Sequence, residues 1–179
     1  MKRTVSLLSL AVLVLALGSC QSRTDLSEGS VILSVTDFDK LPVSVSAGGG
    51  GPTQVGEITL QNFAKNPNGT TSDLQSIELR SYEVRYSRRD TGTRLPPPMV
   101  QSLFSLVPVN GTATITNLQF LTAAQLLNPP LSDLATAGAD RETGSQVIVL
   151  NVSMRFFGRT LAGDDIASDP ASFTVEVVP

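Results

Sequence analysis

The sequence predicts an all-β fold: about seven short strands packed as two antiparallel sheets, with one short helix in a crossover. Three observations carry this expectation. Apolar residues alternate with polar ones over runs of five to ten residues, as in Ile148, Leu150, Val152, Met154 and Phe156. Turn-forming clusters (Gly48–Pro52, Asn66–Gly69, Asp90–Gly92, Asn110–Gly111) separate these runs at short intervals. Only residues 122–127 combine helix-forming residues with a capping pattern.

Taken in order, Val31 to Val35 reads as the first strand, and Val43 to Val45 as a short edge strand after Pro42. Gly48 to Pro52 breaks the pattern. Val55 to Phe63 resumes it, with Ile58 and Leu60 alternating against Glu57, Thr59 and Gln61. Asn66-Pro67-Asn68-Gly69 then supplies a turn, because proline fixes φ and Asn-Gly tolerates positive φ. From Leu74 to Arg88 the chain changes face: Ile77 and Leu79 share one parity, Tyr82, Val84 and Tyr86 the other. A bulge near Arg80–Ser81 reconciles them, since one extra residue flips the facing.

Pro96-Pro97-Pro98 is an extended linker that cannot donate ladder hydrogen bonds. Residues 100–107 and 112–120 read as a hairpin about Asn110-Gly111. Thr122 and Gln125 have capping-box spacing, with Pro129-Pro130 ending the helix and residues 131–142 reading as a long loop. Residues 148–157 form the clearest strand, 158–170 a connection, and Phe173, Val175 and Val177 the last strand. The architecture expected is Ig-like in outline only, because the Cys…Trp…Cys core of immunoglobulin domains is absent from a chain with one cysteine and no tryptophan.

The front of the chain is different. Met1-Lys2-Arg3 precedes an apolar run of roughly 13 residues, which is short of the ~20 needed to span a membrane and matches a secretory leader. The run ends in Leu17-Gly18-Ser19-Cys20, which resembles the lipobox of bacterial lipoproteins. The resemblance implies cleavage before Cys20, a diacylglyceryl thioether on its sulfur and an acylated (palmitate-type) amino group. Gln21 in place of the aspartate that retains lipoproteins at the inner membrane implies an outer-membrane address in a two-membrane source. The expected organisation is therefore a signal peptide at 1–19, lipidated Cys20 with a flexible tether to residue 30, and one sandwich domain from 31 to 179. Two further resemblances concern the body. It resembles uncharacterised bacterial lipoproteins, and the strand leading into Asn66-Pro67-Asn68 is similar to the Asn-Pro-Asn region of water-stress (WHy-type) β-sandwich domains.

Composition narrows the chemistry. The chain carries 13 basic and 16 acidic residues, a net charge of −3, and loss of Lys2 and Arg3 with the leader makes it more acidic. Nonspecific nucleic-acid binding needs the opposite footprint. With no histidine and only Cys20 as cysteine, Ser-His-Asp and Cys-His catalysis and the usual zinc ligand sets are excluded. No cofactor motif is present. The expectation is a non-catalytic binding or structural module at the cell envelope, held by lipid on Cys20, with an envelope protein or glycan as partner.

Three sets of residues stand out as candidate sites. Arg80, Arg85, Arg88, Arg89 and Arg94 concentrate positive charge, and guanidinium groups pair bidentately with phosphate or carboxylate, so they are the candidate anionic-partner patch. Asp164, Asp165 and Asp169 are candidate calcium ligands, with Asp37 and Asp39 a second acidic pair, although their spacing is not that of an EF-hand. Paired carboxylates would also serve a hydrolase, the least favoured function. Phe156-Phe157 places one ring on each face of its strand.

Overall fold

The computed structural model describes residues 29–42, 44–49 and 53–179; Cys20, the leader, the tether as far as residue 28, and most of the Gly48–Pro52 loop lie outside them. The described chain is all-β and sandwich-like. Its strands are β1 (Val31–Asp39), β2 (Ser44–Ser46), β3 (Gln54–Ala64), β4 (Ile77–Arg88), β5 (Met99–Val107), β6 (Thr112–Gln119), β7 (Ile148–Thr160), β8 (Asp165–Ala167) and β9 (Ala171–Val178). Two helices, α1 (Ala123–Leu126) and α2 (Leu131–Ala137), and a 3-10 turn at Asp73–Gln75 complete it.

Among the described residues there are nine strands rather than about seven, and two helices rather than one. β8 was hidden in the 158–170 connection because only Ile166 of its three residues is buried. Residues 131–142 read as loop because α2 offers just Leu131 and Leu134 to the core, one turn apart, before Gly138 closes it in the left-handed conformation at φ 70°.

A three-stranded sheet in the order β1-β3-β6 faces a larger sheet in the order β2-β9-β7-β4-β5, with β8 pairing beside the end of β7. The sheets are not wholly antiparallel: β2 runs parallel to β9, Val45 opposite Val177. β5 and β6 do not pair as a hairpin either. They belong to different sheets, and the Asn110-Gly111 turn is a corner between them. β3 captures that corner, since the Asn62 amide donates to the Gly111 carbonyl at 3.0 Å and the Ala64 amide to Asn110 Oδ1 at 3.0 Å.

The face change in β4 is present as read. Leu79 stands opposite Gly158 and Ser81 opposite Phe157, so Arg80 is the extra residue of a bulge. It lets Ile77, Leu79, Tyr82, Val84 and Tyr86 all enter one core despite their mixed parity. That core is closed by rings: Phe120 packs edge-on to Phe173 at 5.4 Å, Phe38 lies 5.5 Å from Phe173, and Tyr82 6.0 Å from Phe156. Phe156 is fully buried, whereas Phe157 lies on the outer face beneath the Arg155 guanidinium, 5.5 Å from its ring.

The ends of the sandwich are held by polar groups spent on backbone. The predicted capping box forms, with Thr122 accepting from the Gln125 amide and Gln125 Oε1 accepting from Thr122 N at 2.8 Å. The buried Gln125 amide nitrogen donates to the Pro97 carbonyl at 2.6 Å and to the Tyr86 hydroxyl at 3.1 Å. That hydroxyl donates to the Phe120 carbonyl at 2.6 Å, and burial pushes its pKa up to about 12. At the other end buried Asn62 donates to the carbonyls of Gln75 and Val107.

β7 has to approach the bulge closely. A Cβ on Gly158 would sit 2.6 Å from the Glu78 carbonyl oxygen and 2.9 Å from Ile77 Cγ2. Gly158→Ala is therefore expected to lower stability by about 1–3 kcal/mol through overpacking. Urea unfolding followed by circular dichroism would check this, and an unchanged midpoint would contradict the packing described.

Candidate functional site

The five arginines read as one patch do not converge. Arg80, the bulge residue, reaches Glu78 at 3.3 Å near the start of β4, and Arg85 pairs with Glu83 at 2.9 Å in mid-strand. Arg89 donates to Thr174 Oγ1 at 3.3 Å. Arg94 leans on Asp133 at 3.5 Å, a nearly buried carboxylate of α2 that Arg141 also approaches at 3.2 Å.

Arg88 is not at the surface at all. It continues the inward parity of Tyr82, Val84 and Tyr86, and its side chain is 2 % exposed. There it meets three carboxylates. Nε donates to Asp90 Oδ1 at 2.5 Å, and Nη2 donates to Asp90 Oδ2 and to Asp140 Oδ2, each at 2.8 Å. Nη1 lies 3.6 Å from Glu142 Oε2, attracted without a hydrogen bond.

Each carboxylate in turn orders backbone. Asp90 accepts from the amides of Gly92 and Val149, and Asp140 from the Glu142 amide and the Thr143 hydroxyl. Glu142 accepts from Thr93 N, Thr93 Oγ1 and Arg94 N. The result is a clamp that joins the β4–β5 connection to the segment leading into β7.

The electrostatics follow from this closure. The hydrogen bond from Arg88 lowers the pKa of Asp90 against the opposing effect of its burial. Burial would raise Asp140, but hydrogen bonds from Arg88, Thr143 and the Glu142 amide outweigh it and hold the carboxyl below its ordinary value. Glu142 is lowered chiefly by Thr93. Gly92 completes the arrangement, because a methyl group there would overlap the guanidinium carbon of Arg88.

The acidic candidates are also dispersed. Asp164 and Asp165 stand at the start of β8 and Asp169 beyond its end, while Asp165 faces Arg159 at 3.7 Å. Asp39 accepts from the Lys40 amide, and Asp37 lies two residues before it in β1. Among the described residues no group of three or more acidic, histidine or cysteine side chains is placed to hold a metal.

One shallow groove does gather charge on the outer face of the large sheet. It measures about 240 Å³ and is lined by Glu83, Arg85, Ser153, Arg155 and Pro170. Cross-strand register creates it, with Glu83 opposite Arg155 and Arg85 opposite Ser153. Arg155, absent from the predicted patch because it lies far from the others in sequence, also donates to the Ser168 carbonyl at 3.0 Å.

The clamp was missed as well. Its signal was the even parity of Arg88, which places a guanidinium inward; nothing in the spacing pointed to Asp140 or Glu142 as its partners. No family model, curated protein or solved structure matches the chain.

A closed clamp has measurable consequences. Arg88→Met leaves a carboxylate buried without its counter-charge and is expected to cost about 3–5 kcal/mol in urea unfolding. The three carboxylates titrate below their unfolded values, so their stabilisation is complete above the ordinary carboxylate range. It is lost as pH falls through the depressed folded values. The urea midpoint should hold from pH 7 to about 5 and then fall. A wild-type acid limb no steeper than that of Arg88→Met would contradict the assignment.

Proposed function

We propose that this chain is a lipid-anchored protein of the cell envelope, attached through Cys20, most simply at an outer membrane, and serving as a non-catalytic binding or structural module. The observation that carries the non-catalytic reading is the fate of Arg88, Asp90 and Asp140. Among the described residues, the cluster in which Arg88 meets three carboxylates is turned inward and spent on joining two loops, which leaves no solvent-facing acid–base pair there for a substrate to reach. The sequence Leu17-Gly18-Ser19-Cys20 supports the anchor. The two-sheet arrangement, with a corner crossing between sheets, supports an Ig-like reading of the sandwich.

Anchoring has a direct test. The full chain expressed in a bacterial host fed an alkyne-tagged fatty acid should incorporate the tag and sediment with membranes, because two or more acyl chains give stable attachment. Cys20→Ser should abolish the label and release the protein to the soluble fraction. An unlabelled wild-type chain would overturn the anchor. If the anchor holds, affinity capture of the acylated protein from detergent-solubilised envelopes addresses the module's role, and an envelope unchanged by deletion of the gene would count against it.

A further inference from the structure

The two ends of the sandwich differ in chemistry. One end is formed by the start of β1, the end of β3, the 3-10 turn, the β5–β6 corner and the β7–β8 turn. Backbone hydrogen bonds hold these together: Lys65 N to Ser30 O at 3.0 Å, Leu161 N to Ser76 O at 3.0 Å, and Ala162 N to Leu74 O at 2.8 Å. Most of the large apolar side chains exposed among the described residues lie here. Leu74 is 57 % exposed and Leu161 50 %, both at the tip. Around them stand Ile32 and Phe63, which face each other across β1 and β3, and Leu106 near the end of β5. Phe104, 82 % exposed, stands near the middle of the outer face of β5, Val100 near the start of that strand, and Leu95 and Leu127 lie toward the opposite end.

The chain enters the fold at this same end. Gly29 lies against Ile166 of β8, where a Cβ would come 2.5 Å from Ile166 Cδ1. In the sequence, residues 21–28 are all that separate Cys20 from Gly29. Even fully extended, such a segment reaches no more than roughly 30 Å. An anchor at Cys20 therefore holds the apolar end, not the opposite one, within reach of the membrane. Glu78 pairs with Arg80 and Arg159 with Asp165 at this end, which also carries Asp73 beside Leu74 and, among the described residues, has no cluster of basic side chains to select an anionic headgroup.

We propose that this end of the sandwich is a membrane-resting face, with Leu74 and Leu161 immersed at the boundary between headgroups and acyl chains of the bilayer that holds Cys20. The proposal rests on the lipid-anchor reading given above. It assigns the domain a fixed orientation, with the opposite end, carrying α1 and α2, directed away from the bilayer. Contact is apolar, so it does not require anionic lipid.

The chain has no tryptophan, so a single introduced one reports alone. The acylated full chain carrying Leu161→Trp, Leu74→Trp or, as the distal control, Leu127→Trp is reconstituted into phosphatidylcholine vesicles containing a doxyl-labelled lipid, with and without phosphatidylglycerol. The first two proteins should show blue-shifted emission and at least about twofold stronger quenching than the control, in both vesicle types. Two tip variants guard against one that fails to fold, and an unchanged thermal melt shows that a variant is folded. Equal quenching at both ends of a labelled, vesicle-bound protein overturns the resting face and leaves the anchor standing. Failure of Cys20 to acquire lipid overturns both. A dimer in detergent that shields the Leu161→Trp reporter without lipid assigns the face to a second copy and overturns the membrane contact.

Discussion

Arg88 enters the interior at the end of β4, and a guanidinium buried to that extent is tolerated only with its charge matched and its donors used. Asp90 supplies a two-point partner from the same chain segment, and Asp140 arrives from the far side of the α1–α2 crossover. The second partner makes the arrangement a constraint on the whole end of the sandwich. It fixes where the segment before β7 lies relative to the linker before β5. Gln125 works in parallel, tying α1 to the proline linker and to Tyr86. The loops at this end are long and irregular, yet they are held by hydrogen bonds to buried or half-buried groups.

This constraint also reorganises the chemistry that the charged residues could offer. Arginines clustered in sequence look like an anion-binding surface, but strand geometry sends their side chains in different directions. Arg85 faces outward over the groove with Arg155, Arg80 sits in a bulge, and Arg88 turns into the core. The carboxylates follow the same logic. Asp140 and Glu142 act on backbone amides and on Arg88, while β8 separates Asp169 from Asp164 and Asp165. What remains distinctive at the surface is apolar: the rim around Leu74 and Leu161, on the side where the chain enters the fold.

Much of the fold was legible because burial in a sheet has period two. The alternation at Ile148–Phe156 and the parity change in β4 led directly to β7 and to the bulge at Arg80. The Thr122–Gln125 spacing led to α1 and its cap. β8 and α2 were not legible because they offer too few buried apolar residues to show a period: β8 buries one residue, and α2 buries two apolar ones. The Asn110-Gly111 turn was visible, but not that it crosses between sheets, because a turn signal records local φ and ψ rather than the strand that accepts the chain afterwards.

By itself the sequence determined the all-β class, most of the strand positions and the inward sense of most apolar strand residues, and it set the terms of the lipid-anchor proposal through Leu17–Cys20. These depend on local periodicity and short motifs. Only the tertiary structure decided which strands share a sheet, that Arg88 closes on Asp90, Asp140 and Glu142, and that the apolar side chains gather where the chain enters the fold. Those outcomes join residues tens of positions apart, and the contacts that select them exist only once the two sheets have packed.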